Sequence, residues 1–270
     1  RNTLRFLLGN LNNFNKQNLV DPEEMPELER YVLTRISSLN EKLKELVSKH
    51  DYHAIYTALL NFCTLELSAF YFDIRKDSLY CDDIKSIKRR STSTCLHIIF
   101  EFLTKWLSPI VSFTCEEAWK SRSYSNEESI LLQNVKDDEF TYKDISLEKV
   151  FEELKRVRKS VTSALELKRN EKLIGSSLQA KVILFLSKDT QKIIADLDLA
   201  EMCIVSNVET HDISNRSKES ISIEDEEIYV EIKLADGKKC ERCWAVLQEV
   251  SSSKNNLCNR CDDVWKTFQK

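Results

Sequence analysis

Apolar positions along the chain follow a helical period first and a strand period later. In Arg1 to Phe14, Leu4, Leu7, Leu8 and Leu11 recur at helical spacing. Asp21-Pro22 and Met25-Pro26 then mark a turn whose prolines suit first helical turns. From Glu27, Val32, Ile36, Leu39, Leu43 and Leu46 alternate steps of four and three, one stripe of a long helix. Asp51 is placed to cap the next helix, whose stripe is Ile55, Leu59, Phe62, Phe70 and Ile74. A third long helix carries Cys95, Ile99, Phe102, Leu103 and Trp106 and ends at Pro109. Thr114 and Glu117 have capping-box spacing and predict a short helix containing Trp119. Such stripes are stable only against one another, so an antiparallel bundle is the economical solution.

Ser121 to Tyr142 is polar and poorly periodic, which predicts a connection. Another helix is predicted from about Ser146 to Asn170, with Val150, Leu154, Val157, Val161 and Leu165 inward. The period then changes to two. Leu178 to Leu186 predicts a strand covered on both faces at its far end, and Ile228 to Leu234 a half-buried one. Ile221 with Ile223, and Met202 to Val208, are further strand candidates, with Glu209 to Glu219 expected as loop. Asp236-Gly237 marks the turn into the last segment. The expected class is mainly α: an antiparallel helix bundle over 1–142, a small α+β unit over 143–235, and a four-cysteine tail over 236–270.

Three Gly and three Pro in 270 residues argue against an all-β fold rich in tight turns. No apolar run is judged long enough to cross a bilayer, and no secretory pattern opens the chain. It starts without Met and is expected to be a piece of something longer. The net charge of −4 excludes a globally basic nucleic-acid protein, yet charge is uneven. From Lys155 to Lys172, Lys155, Arg156, Arg158, Lys159, Lys168, Arg169 and Lys172 face only Glu166 and Glu171. Such a run either steers a phosphate backbone or is a solvated helix face.

Cys63, Cys81, Cys95, Cys115 and Cys203 are isolated, as buried free thiols would be. Cys240, Cys243, Cys258 and Cys261 form two C-x-x-C pairs separated by fourteen residues. Two such knuckles complete a tetrahedral thiolate site with no open position, which points to one structural zinc. A redox pair or two disulfides are the alternatives; nine cysteines without a secretory signal fit a reducing cytosol. Trp244, beside Arg242, Arg260, Lys238, Lys239 and Lys254, either stacks on an unpaired base or packs over the metal site. In the bundle, Arg75, Lys76 and Tyr80 precede Lys85, Lys88, Arg89 and Arg90, a basic and aromatic mixture suited to single-stranded RNA or to ordinary salt bridging. His50, His53, His97 and His211 lack a nucleophile partner and are expected to be structural. No phosphate-cradling glycine loop is present, so the residues show no catalytic site.

Several stretches resemble bacterial-type isoleucyl-tRNA synthetases. They are Arg1 to Leu11, Phe72 to Tyr80 (with Phe72 and Arg75 as variations), Leu107 to Trp119, Arg169 to Ala180, and Ala235 to Trp244. The first and third are shared with valyl, leucyl and methionyl enzymes; the last two are more specific. Ala245 departs from the polar or aromatic residue that many members carry after the tryptophan. The resemblance implies a class I ligase that activates isoleucine with ATP and Mg in a catalytic core absent from this chain. It implies a helical anticodon-binding domain, a junction domain and a zinc motif that hold tRNA-Ile; the basic and aromatic residues make Arg75, Lys76, Tyr80, Arg89, Arg90, Arg242 and Trp244 the candidate contacts. The chain is then expected to be catalytically silent by itself, cytoplasmic, monomeric and free of membrane. A valyl enzyme, a DNA-binding zinc protein and a zinc-stapled helical scaffold are the alternatives.

Overall fold

The computed structural model describes residues 1–12, 14–123, 128–133, 141–224 and 227–268. They form two compact units, Arg1–Ile145 and Ser146–Lys270.

The first unit is the helix bundle. It comprises α1 (Asn2–Asn10), α2 (Glu27–Ser48), α3 (Tyr52–Cys81), α4 (Ile87–Leu107) and α5 (Ser112–Lys120). The turn from α2 to α3 is tight. His50 takes the left-handed conformation (φ 56°) that ends a helix, and Asp51 accepts the Ala54 N–H at 3.0 Å, as its position predicts. The buried stripes are those of the sequence: Val32, Ile36 and Leu43 on α2; Ile55, Leu59, Phe62, Phe70 and Ile74 on α3; Cys95, Ile99, Phe102, Leu103 and Trp106 on α4. Leu39 and Leu46 lie at the margin. By length and composition α3 is apolar enough to cross a membrane, contrary to the expectation that no segment is. Its buried stripe identifies it as a core helix of the bundle.

The middle of α3, Phe62–Tyr71, is π-helical. In this widened turn the inward step from Phe62 goes to Leu67, which is fully buried, while Leu65 is exposed. A 3.6-residue period passes over Leu67 for that reason. The expected capping box does not form. The first bond of α5 runs from Cys115 N–H to Val111 C=O, and no side chain caps Ser112–Lys120. The turn after α4 brings Val111 into the N-cap position, so Thr114 falls inside the helix; Trp119 lies on this helix as expected and is buried. Of the predicted connection, 124–127 and 134–140 lie outside the described residues; Ile130–Leu132 is a single 3₁₀ turn.

The second unit carries α6 (Ile145–Asn170) and a three-stranded sheet of β1 (Ala180–Leu186), β2 (Asn207–Asp212) and β3 (Tyr229–Leu234). The order is β2-β1-β3, with β1 parallel to β2 and antiparallel to β3. The central position of β1 explains its burial on both faces. On α6 the inward face is Leu147, Phe151, Leu154, Val157, Val161 and Leu165, with Val150 at its edge. The strand expected at Met202 to Val208 is displaced. Asp198 accepts the Glu201 N–H and starts α8 (Leu199–Cys203), after α7 (Lys188–Ile193), and Ile204 closes it in the left-handed region. The strand begins at Asn207 and takes up Glu209 to Asp212, which the polarity of the segment marked as loop. Ile221 makes one bridge, to Val230; Ile223 is in no strand.

The tail continues from β3. Gly237 has φ 115°, and a Cβ there would meet the Leu247 carbonyl at 2.3 Å, so the turn admits only glycine. β4 (Lys238–Lys239) pairs with β5 (Val246–Leu247), and α9 (Asn259–Phe268) closes the chain. Ser206 accepts the Val246 N–H at 2.8 Å, tying the tail to the end of the β1–β2 crossover.

Candidate nucleic-acid interface and metal centre

Each C-x-x-C pair is positioned by its own backbone. The β4–β5 hairpin presents Cys240 and Cys243, closed by Cys240 N–H to Ala245 C=O (2.8 Å) and Trp244 N–H to Cys240 C=O (3.0 Å). That closure holds Trp244 at φ 69°. The second pair sits at the start of α9, where Cys258 C=O accepts the Asp262 N–H. All four sulfurs lie within 4.8 Å of one another, and all four residues are buried. Cys243 and Cys258 Sγ are 3.8 Å apart. A zinc tetrahedron with ~2.3 Å arms has edges of about that length, so the donor set fits the metal.

The thiols are poised unequally. Burial pushes up Cys243 and Cys258 to about 11 and Cys261 to about 12. Burial also raises Cys240, but N–H donors from Cys243, Cys258 and Arg242 outweigh it and bring that thiol to about 7. Of the isolated cysteines, Cys81, Cys95, Cys115 and Cys203 are buried as expected, whereas Cys63 is half-buried.

In the bundle, a groove of about 810 Å³ opens between the segment after α1 and the facing ends of α3 and α4. Its walls carry Tyr80, Lys85, Arg89 and Arg90 and a set of asparagines, Asn10, Asn12, Asn15 and Asn18. Among the described residues no carboxylate side chain lines it, although the whole chain is acidic. Tyr80 is exposed, Arg89 donates to Asp82 C=O at 2.7 Å, and Arg90 reaches Asn18 C=O at 3.4 Å. These contacts fix both guanidiniums on the rim. A smaller recess of about 500 Å³ adjoins it at Gly9, Asn10 and Tyr80 and adds Arg5.

The sequence-derived contact set therefore divides. Tyr80, Arg89 and Arg90 share the groove. Lys76 is exposed but bridged to Asp73 at 3.0 Å and outside the groove walls. Arg242 and Trp244 belong to the tail; Trp244 is exposed, with Lys239 Nζ 5.2 Å from its ring centre. Arg75 is interior and cannot touch a ligand in this structure. Its guanidinium makes two 2.6 Å bonds to Glu29, which also accepts from Tyr71 and Thr92 at 3.1 Å. Both residues are at most 1% exposed, and breaking such a pair costs ~3–5 kcal/mol because a charge is left buried alone. The basic run of α6 is answered by acids of the same helix and its end and by two from the segment before β3: Arg156 by Glu153 and Glu227, Lys159 by Glu224, Lys168 by Glu171, Arg169 by Glu166. It is a salt-bridged helix face. The asparagine set was not singled out from the sequence; its signal was the density of Asn between Asn10 and Asn18.

Residues 29–184, more than half of the chain, match the family described as the anticodon-binding domain of tRNA ligase. The chain belongs to that family. Residues 237–264, which hold all four clustered cysteines beyond the anticodon-binding domain, match a zinc finger found in FPG and IleRS. Among curated proteins the chain is similar to isoleucine–tRNA ligases. It is 42% identical to that of Pelagibacter ubique over 249 residues, covering 91% of the chain and 26% of the relative. It is 39% identical over 266 residues to those of Ruegeria pomeroyi and Gluconobacter oxydans, covering 97% and 98% of the chain and 27% of each relative. The chain thus spans about a quarter of the length of these relatives, with the anticodon-binding domain inside that quarter.

Proposed function

We propose that this chain is the tRNA-gripping portion of an isoleucine–tRNA ligase, holding the anticodon stem and loop of tRNA-Ile. The observation that carries it is the groove, whose described walls hold no carboxylate. Aromatic Tyr80 and Phe14 offer stacking surfaces, Lys85, Arg89 and Arg90 neutralise phosphates, and asparagine amides present donors and acceptors to base edges. Single-stranded RNA with splayed bases needs all three. Cys240, Cys243, Cys258 and Cys261 hold one structural zinc, which orders the tail and presents Arg242 and Trp244. Activation of isoleucine with ATP and Mg belongs to the remainder of the parent, and the chain works as a cytoplasmic monomer.

The zinc-finger description also names FPG, so the knuckles alone leave a DNA-binding reading open. The helical domain and the relatives' names favour the tRNA ligase over that reading, over a valyl enzyme and over a scaffold.

The test is a titration of the zinc-loaded chain with an isoleucine tRNA transcript and with the same transcript carrying a swapped anticodon, at two salt concentrations. Tighter binding to the cognate anticodon, weakening with salt, is expected. Equal binding to both would reduce the chain to a phosphate grip, and no binding would overturn the reading.

A further inference from the structure

The chain treats its four tryptophans in two ways. In the bundle, Trp106 and Trp119 are 7% and 1% exposed, and Trp106 donates to Asn40 at 2.9 Å. In the tail, Trp244 and Trp265 are 61% and 47% exposed. Trp265 stands on α9 beside the buried positions Cys261 and Val264, with its indole outside the tetrathiolate core. It lines a recess of about 460 Å³ with Glu241, Arg242, Asn255 and Leu257; Trp244 is not among the walls.

The recess brings together an aromatic face, a guanidinium, an amide and a carboxylate, in a volume within the roughly 300–1,000 Å³ usual for small-ligand sites. The polar walls are held in place. Glu241 accepts from Asn256 at 3.2 Å, and Asn255 donates to Asp262 at 2.9 Å. Glu241 and Arg242 are the two residues between the first pair of cysteines, so the first knuckle fixes both.

We propose that this recess is a binding site for a single unpaired guanine, stacked on Trp265 and read by Glu241. A carboxylate has only acceptors. Guanine presents two adjacent donors, N1–H and the 2-amino group, along its Watson–Crick edge. Adenine and cytosine present one amino group beside a bare acceptor nitrogen, which the carboxylate repels. Uracil flanks its one N–H with two carbonyls. Leu257 closes the apolar side, and Arg242 supplies the positive charge for the attached phosphate. The site is separate from the bundle groove and from Trp244; it rests on the reading of the chain as an RNA-binding module for the source of the base.

The zinc-loaded full chain is titrated with labelled RNA pentamers UUGUU and UUAUU. UUGUU is expected to bind at least five-fold tighter. Trp265→Ala lowers its affinity about ten-fold, the loss of one stacked base. Trp265→Phe stays within about two-fold of the parent, and Glu241→Gln removes the preference for guanine while zinc content stays at one per chain. Equal affinity for the two pentamers, or a guanine preference that survives Glu241→Gln, overturns the site. If Trp265→Ala loses zinc, the exposed Glu241→Gln variant decides in the same way. The pentamers contain no anticodon stem, so their outcome is independent of the tRNA titration: loss of transcript binding with retained UUGUU binding sinks the anticodon reading and leaves this site standing.

Discussion

His97 stacks on Phe14, ring centres 4.7 Å apart, on the inner side of the segment that bears the asparagines. Burial lowers its imidazole to about 4, helped by Lys16, Arg122 and Lys105. A histidine whose folded value lies below its unfolded one, near 6.5, stabilises the fold above 6.5. That contribution is lost as pH falls toward 4, because the unfolded chain takes up the proton first. It is on the order of 3 kcal/mol at full extent. His97→Gln should therefore flatten the bundle's stability between pH 6.5 and 4, measured by urea denaturation at several pH values. An unchanged acid slope would place that slope in the carboxylates. Arg75 shows the opposite use of a charge. Its type and its basic neighbours suggested RNA contact, and only the partner on another helix, Glu29, reveals the interior role.

At the level of elements, the tail illustrates chemistry that spacing conveys well. Two C-x-x-C pairs fourteen residues apart predict one site, and the hairpin and α9 bring all four sulfurs to it. With three thiols at about 11 to 12, zinc uptake near pH 7.5 must displace about three protons. Metal affinity should consequently fall by about a thousand-fold per pH unit on acidification, read with an indicator in weak buffer alongside a competing chelator. Release of less than one proton would mean that the thiols are already ionised. Helix positions were equally legible where one stripe faces one core, as on α2, α4 and α6. The misreadings have local causes. The capping pair Thr114 and Glu117 lost to a turn that starts α5 three residues earlier. The polar β2 was hidden because its pairing, Ile183 with Glu209 and Phe185 with His211, joins it to an apolar strand some 25 residues away. The groove could not be read from any one segment, since its walls come from the chain after α1 and from the ends of α3 and α4.

For the molecule as a whole, an acidic chain carries a groove whose described walls hold no carboxylate. Each phosphate neutralised contributes roughly 0.7 to the salt slope of single-stranded binding. Lys85→Ala with Arg90→Ala should lower that slope by about 1.4 for an anticodon stem-loop, measured by anisotropy over a salt series. A slope that does not change would move the phosphate contacts out of the groove. Which residues reach that groove depends on the widened centre of α3. An i→i+5 ring holds more residues per turn than an i→i+4 ring, so each one retards the azimuth of everything after it. Over Phe62–Tyr71 the accumulated phase lag is roughly half a revolution. Wound as an unbroken α-helix, the same sequence would swing Arg75 out to water and carry Tyr80 toward the interior. A slip in hydrogen-bonding register at mid-helix thus sorts the last turns into those that lock the bundle and those that line the groove.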